Sequence, residues 1–209
     1  MPRKNQDPSH QRKKSLKIST TVYGREKIGN RVVYHVDNND ESSPKKNAES
    51  VVLYRWNRKK RDGYTFSGSK VNPKIWRSLP LVFGDNTRKY LDLETPTIKE
   101  YIDNFKKNNP DTYLKLPASN HLYALFKVCG PQRLAALLAR HNSKERIDNF
   151  GTPDLFLYSI HISSGNIRDA RFVEVKKPEE PLSEDQNDEI HFLQSLGLRA
   201  RIIRLDERS

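Results

Sequence analysis

The chain has 209 residues, of which 34% are hydrophobic and 31% charged, which suits one domain with a modest core. Its single cysteine, Cys129, excludes an intramolecular disulfide framework and a multi-cysteine zinc site, and implies the reducing interior of a cell. The formal net charge is +12; the first 17 residues hold six Lys/Arg and one Asp, or +5, which leaves +7 on residues 18–209. A body this basic points to a polyanionic partner, most often nucleic acid, because phosphate contacts release condensed counterions.

Residues 1–17 are polar, basic and Pro-containing, and are expected to form a disordered tail ahead of a domain over 18–209. No apolar run approaches the roughly 20 residues of a membrane span, and the N-terminus has no hydrophobic signal core. The expectation is a soluble intracellular protein, nuclear in a eukaryote and cytoplasmic otherwise; "QRKKSLK" is a basic cluster of the nuclear-import type. "RVVYHV" reads as a strand and residues 36–47 as a flexible polar loop. "AESVVLYRW" then reads as a helix running into Arg58, Lys59, Lys60 and Arg61, and "DGYTFSGSKVNP" as a turn-rich connection.

The middle of the chain, about 95–148, reads as a helical insertion. Thr95 and Pro96 suit an N-cap and first helical position, and Ile98, Ile102 and Phe105 keep helical spacing before Pro110. "SNHLYALFKVCG" and "GPQRLAALLARH" are two further helices, with Arg133 and Arg140 on one face of the latter. The last sixty residues change rhythm: "DLFLYSI" and "ARFVEVK" are strand-like. A helix follows from Ser183 to Leu196, closed by Gly197, and "LRARIIRL" is the final strand.

This order places chemistry near the C-terminus. Side chains alternate along a strand, so Glu174 and Lys176 share a face, and a paired hairpin can bring Asp154 beside Glu174. Two carboxylates there offer hard oxygen ligands for Mg²⁺ or Mn²⁺, which would polarise a phosphate and lower the pKa of a bound water. Lys176 could orient that water or offset charge on the phosphorane oxygens. The competing reading is a β-hairpin with charged edges, since Glu-x-Lys and Pro-Asp both recur on ordinary surfaces.

The pattern "GTPDL … FVEVK … P … LS…Q" resembles the virus-type replication-repair nuclease (VRR-NUC) domain, a branch of the PD-(D/E)xK superfamily. Within that branch the likeness is greatest to the C-terminal nuclease domain of the Fanconi-anaemia-associated nuclease. It is carried by "CGPQRLAALLARHNSKERIDNFGTPDLFLY" and "RFVEVKKPEEPLSEDQNDEIHFLQSLGLRARIIRL", and more weakly by upstream segments as far as residue 18. The resemblance implies a restriction-endonuclease-like α/β fold, a mixed central sheet flanked by helices. It implies a Mg²⁺- or Mn²⁺-dependent endo- or exonuclease acting on branched, flapped or free-ended DNA in repair or recombination. By the same resemblance Asp154, Glu174 and the Val175 carbonyl are metal ligands, Lys176 is the catalytic lysine, and Gln186 supports the site. Ser183 and Gln186 also fit an S-x-x-Q capping box.

Three positions depart from the family pattern: Lys177 replaces a glycine, Pro181 replaces an arginine, and Ser67 stands where an upstream glutamate ligand is expected. Glu49 is the alternative third ligand, or else an acid that favours a helix start. Without either, the chain is a catalytically impaired DNA-binding module that retains the fold. Arg58, Lys59, Lys60 and Arg61 lead the DNA-contact candidates, interleaved with Tyr54, Trp56 and Tyr64; Lys177, Arg133 and Arg140 follow. For a nuclease core without the family's upstream regions, a homodimer or a protein partner could supply selectivity, and the chain could be part of a longer protein.

Overall fold

A computed structural model of the chain describes residues 16, 18–23, 25–28, 31–35, 45–71, 95–110, 118–142 and 151–207. In chain order these form β1 (Ile18–Tyr23), β2 (Arg25–Ile28), β3 (Arg31–His35), β4 (Lys45–Lys46), α1 (Ala48–Asn57) and β5 (Tyr64–Lys70). They continue with α2 (Thr95–Asn108), α3 (Ser119–Asn142), β6 (Leu155–His161), β7 (Ile167–Lys176), α4 (Glu184–Ser195) and β8 (Ala200–Glu207). All of the expected tail but Leu16, which packs against the core, most of the 36–47 loop and residues 143–148 lie outside the described residues.

Five strands form the central sheet in the order β1-β8-β7-β6-β5. The β5–β6 and β6–β7 pairs are antiparallel, whereas β7–β8 and β8–β1 are parallel, so the sheet is mixed. The sequence explains this: a short turn at Gly165 (φ 67°) closes the β6–β7 hairpin, while β7 reaches β8 through the crossover helix α4. A second sheet, β2-β3-β4, stands apart in pairing.

Helices cover both faces. α1 lays Val51, Val52 and Trp56 on Leu155, Leu157, Val173 and Val175. α3 and α4 cover the other face, where Leu122, Leu134, Leu137, Ile190 and Leu193 pack on Phe156, Tyr158, Phe172 and Ile202. Burial on both faces is why β6 reads as a nearly continuous apolar run rather than an alternating one. α3 contains the two helices expected from sequence, joined at Gly130 (φ 64°, ψ 176°), with Pro131 opening the second. No helix among the described residues is long and apolar enough to cross a membrane.

One expectation is corrected here. "DGYTFSGSKVNP" is not a loop throughout: Tyr64–Lys70 is an edge strand paired along its length with β6. Its turn-forming residues mislead because Gly68 serves packing, not turning. A Cβ there would meet a Leu157 methyl at 2.6 Å and the Phe156 carbonyl oxygen at 2.9 Å. β1 and β2 also went unmarked by hydrophobic pattern.

Phe172 is 1% exposed and meets the Phe156 ring at a centroid distance of 5.1 Å. Phe172→Ala should therefore lower unfolding free energy by about 3–5 kcal/mol, measured by urea denaturation.

Candidate functional site

β6 begins at Leu155, directly opposite Val173, so Asp154 falls at the end of the ladder beside Val175 and Glu174. There the Val175 N–H donates to Asp154 Oδ2 at 2.8 Å. Glu174 follows Phe172 on the face covered by α4, and Gln186 from the first turn of α4 donates its Nε2–H to Glu174 Oε1 at 2.5 Å. Lys176 Nζ lies 3.4 Å from the same oxygen. The other oxygen, Glu174 Oε2, is buried without a hydrogen-bond partner. A carboxylate oxygen left this way in a residue only 2% exposed is a feature that needs a partner of its own.

Gln186 carries both of its expected roles in geometry. Its backbone N–H donates to Ser183 Oγ at 3.2 Å, and its Oε1 accepts from the Ser183 N–H at 3.0 Å. The capping box thus aims the remaining amide hydrogens at Glu174. The approach of α4 depends on Gly151 (φ 61°): a Cβ there would stand 2.4 Å from backbone atoms of Asp185 and Gln186. Glycine three residues before Asp154 is what lets helix and carboxylate meet.

The electrostatics follow from crowding. Burial, then the neighbouring Asp154 charge, pushes Glu174 up to about 8. Burial also raises Asp154, to about 6, against the Val175 hydrogen bond; Glu49 adds to the rise. Two carboxylates held together at a cost, one of them with a bare oxygen, have the hard-oxygen chemistry that suits a divalent cation. Glu49 is near enough to act on Asp154, yet its Oε2 pairs with Lys70 Nζ at 3.5 Å. Among the described residues no three acidic, His or Cys side chains come together as a metal-holding group. Ser67 stands opposite Tyr158, whereas Asp154 is level with Val71; four strand residues put Ser67 about 13 Å away.

Sequence reasoning missed Glu180. Its carboxylate accepts from Lys176 Nζ at 3.2 Å and from the Lys177 N–H at 3.1 Å. Burial opposes its ionisation, but the Lys177 N–H and the Lys176 ammonium outweigh it and hold its carboxyl below the usual range. Arg204, opposite Lys176 on β8, donates to the carbonyls of Lys177 and Glu180 at 3.2 and 3.0 Å and fixes this turn. The only signal in sequence was an acid four residues after the lysine, masked by Pro178 and Pro181.

The DNA-contact candidates separate. Lys177 is exposed and directly follows Lys176 at the end of β7. Arg58, Lys59, Lys60 and Arg61 follow α1 at the start of β5, which pairs with the end of β6, so they lie at the opposite end of the sheet. Lys59 stacks on the Trp56 ring at 4.4 Å, while Trp56 itself is core, its Nε1–H donating to the Ser67 and Tyr158 carbonyls. Arg140 donates to Glu189 at 2.7 Å and lies over Phe192, which ties α3 to α4. Arg133 is exposed near Gly197.

The VRR-NUC domain family matches residues 97–206 of the chain, a span that holds Asp154, Glu174, Lys176 and Gln186 but neither Glu49 nor the Arg58–Arg61 run. No curated protein matches. Similar solved structures include the crystal structure of paFAN1 bound to 2nt 5′ flap DNA with gap, at TM-score 0.53 and 13% identity over 100% of this chain and 40% of that one. Another is paFAN1 bound to 1nt 5′ flap DNA with gap, at TM-score 0.47 and 15% identity over 94% and 38% of the two chains. The chain thus spans about 40% of the length of the first of these. The fold is the restriction-endonuclease-like α/β arrangement expected from sequence.

Glu174 has a pKa above its ordinary 4.5 in the folded chain, so its ionisation costs stability, from near pH 4.5 and in full above about 8. In EDTA above pH 8, Glu174→Gln should melt above the wild type by roughly 2–4 °C per kcal/mol of burial and repulsion cost removed. The gap should close as pH falls toward 4.5, read by differential scanning calorimetry.

Proposed function

This chain belongs to the VRR-NUC domain family, and from that premise we propose that it is a metal-dependent DNA nuclease that hydrolyses phosphodiester bonds at flapped, branched or free-ended DNA. The observation that carries this reading is the bare, buried Glu174 Oε2 set beside Asp154 and Lys176. The flap DNA held by the paFAN1 structure supports flapped ends as the substrate class.

Asp154, Glu174 and the Val175 carbonyl would hold a Mg²⁺ or Mn²⁺ ion, with Glu49 as a further ligand once released from Lys70. The ion supplies Lewis acidity toward the scissile phosphate and acidity to a water. Val175 N–H fixes one oxygen of Asp154, and Gln186 fixes one oxygen of Glu174, which leaves the remaining oxygens directed and preorganised. Lys176, held between Glu174 and Glu180, presents its ammonium where negative charge grows on the phosphoryl oxygens. Lys177, which stands where the family pattern has a glycine, would grip an adjacent phosphate as a mobile point charge. Action in repair or recombination, and a second copy or a protein partner for selectivity, belong to the same reading.

The test is cleavage of end-labelled 5′-flap, duplex and single-stranded DNA with Mg²⁺, Mn²⁺ or EDTA. Cutting should require metal and fall by about 10²–10⁴-fold in Lys176→Ala. Glu49→Ala should weaken Mn²⁺ affinity by roughly 10–100-fold, read by calorimetry on the DNA-free protein. Wild-type protein that binds these DNAs and cuts none in either metal would make it a catalytically impaired binding module instead.

A further inference from the structure

The end of the sheet away from the carboxylates carries a second concentration of charge. β6 and β7 slip register between Leu157 and Ser159, a β-bulge that throws Asp169 into the left-handed region at φ 48°. An aspartate tolerates that conformation better than most side chains, and here its Oδ2 accepts from the Ser159 hydroxyl of β6 at 3.4 Å. Arg61 and Arg199 converge on it from the turn between α1 and β5 and from the residue before β8, at 3.3 and 3.9 Å. Their side chains remain 57% and 63% exposed, so Asp169 orients the two guanidinium forks without covering them.

Around this point lies a cavity of about 470 Å³ whose lining includes Arg61, Tyr64, Arg133, Arg168, Asp169 and Arg199. Four arginines against one aspartate leave it strongly positive. It shares Val128, Ile167 and Arg168 with a neighbouring cavity of about 750 Å³ that adds Lys127, so the two form one basic groove. Arg61 lies over the Tyr64 ring at 4.4 Å, which backs its guanidinium with an aromatic surface. Planar guanidinium forks suit phosphate oxygens.

We propose that the Arg61–Arg133–Arg168–Arg199 groove is a second nucleic-acid site that holds the phosphodiester backbone of a strand remote from the cutting centre. From Arg168 to Glu174 is six strand residues, or about 20 Å, too far for one phosphate to reach both. The groove therefore engages a different part of the DNA, or a second strand, while the carboxylate end engages the scissile bond. This inference uses the nucleic-acid partner of the proposed function but not its catalysis.

The experiment is anisotropy of a labelled oligothymidylate with the full chain in EDTA, across a salt series, comparing wild type with Arg168→Glu/Arg199→Glu. Arg168→Ala/Arg199→Ala serves as a milder pair, and circular dichroism confirms the fold of both. We expect affinity to fall at least about tenfold in the charge-reversed protein and the log–log salt slope to become shallower by roughly one to two. Unchanged affinity and slope in both folded variants would overturn the proposal while leaving metal-dependent cutting untouched. So would polyglutamate binding through these arginines more tightly than DNA, which would make the groove a protein-docking surface. So would loss of inorganic-phosphate binding alone, which would make it a small-anion pocket. Failure of the nuclease reading shows elsewhere, as absent cleavage with oligonucleotide binding intact.

Discussion

The hydrogen bond from the Val175 N–H to Asp154 Oδ2 joins two strands at the point where their ladder ends. Everything at the carboxylate end depends on that join. It brings Asp154 beside Glu174 against their mutual repulsion, and the alternation of β7 then sets Lys176 on the same face as Glu174. The repulsion is tolerable because the strands beneath are buried on both faces by α1 on one side and α3 and α4 on the other. A well-packed sheet is thus the source of a crowded, proton-holding carboxylate pair, and that crowding is the property a divalent cation would relieve.

The lysine is held by a separate device. Glu180 reaches back across a turn between two prolines to accept from Lys176, and Arg204 pins the turn by its carbonyls. Because Arg204 lies opposite Lys176 in the parallel β7–β8 pairing, the crossover through α4 positions both the glutamine that steadies Glu174 and the arginine that steadies the turn. The helix and the parallel strand act on the site from two directions, and neither contributes a group to the pair of carboxylates itself.

Most of the C-terminal half was legible from residue pattern, and the reason is physical. Ser183 and Gln186 form a local hydrogen-bonded cap, Gly197 closes the helix, and the apolar runs of β6 and β7 are long enough to declare themselves. What escaped depends on packing rather than on local preference. Tyr64–Lys70 resembles turn sequence because Gly68 is required by Leu157 and Phe156, residues far along the chain that no local window includes. Glu180 escaped because its partner Lys176 is reached through a proline-bounded turn and not along a helix. Ser67 drew attention as a motif position, yet strand register sets it level with Tyr158 instead of Asp154. The arginines of the far groove come from the turn between α1 and β5, from α3 and β7, and from the residue before β8, and only the folded sheet gathers them.

The importance of Gly151 to the site is one of clearance. Backbone atoms of Asp185 and Gln186 occupy the space a methyl group would need, so the segment leading to Asp154 and the first turn of α4 touch main chain to main chain. Two elements in such contact cannot be adjusted one at a time. A shift that moved Asp154 would press on the helix and carry Gln186 with it, and with Gln186 the oxygen of Glu174 that it holds. The two carboxylates are thereby geared together through a residue that has no side chain, and their spacing is a property of the whole assembly, not of either acid.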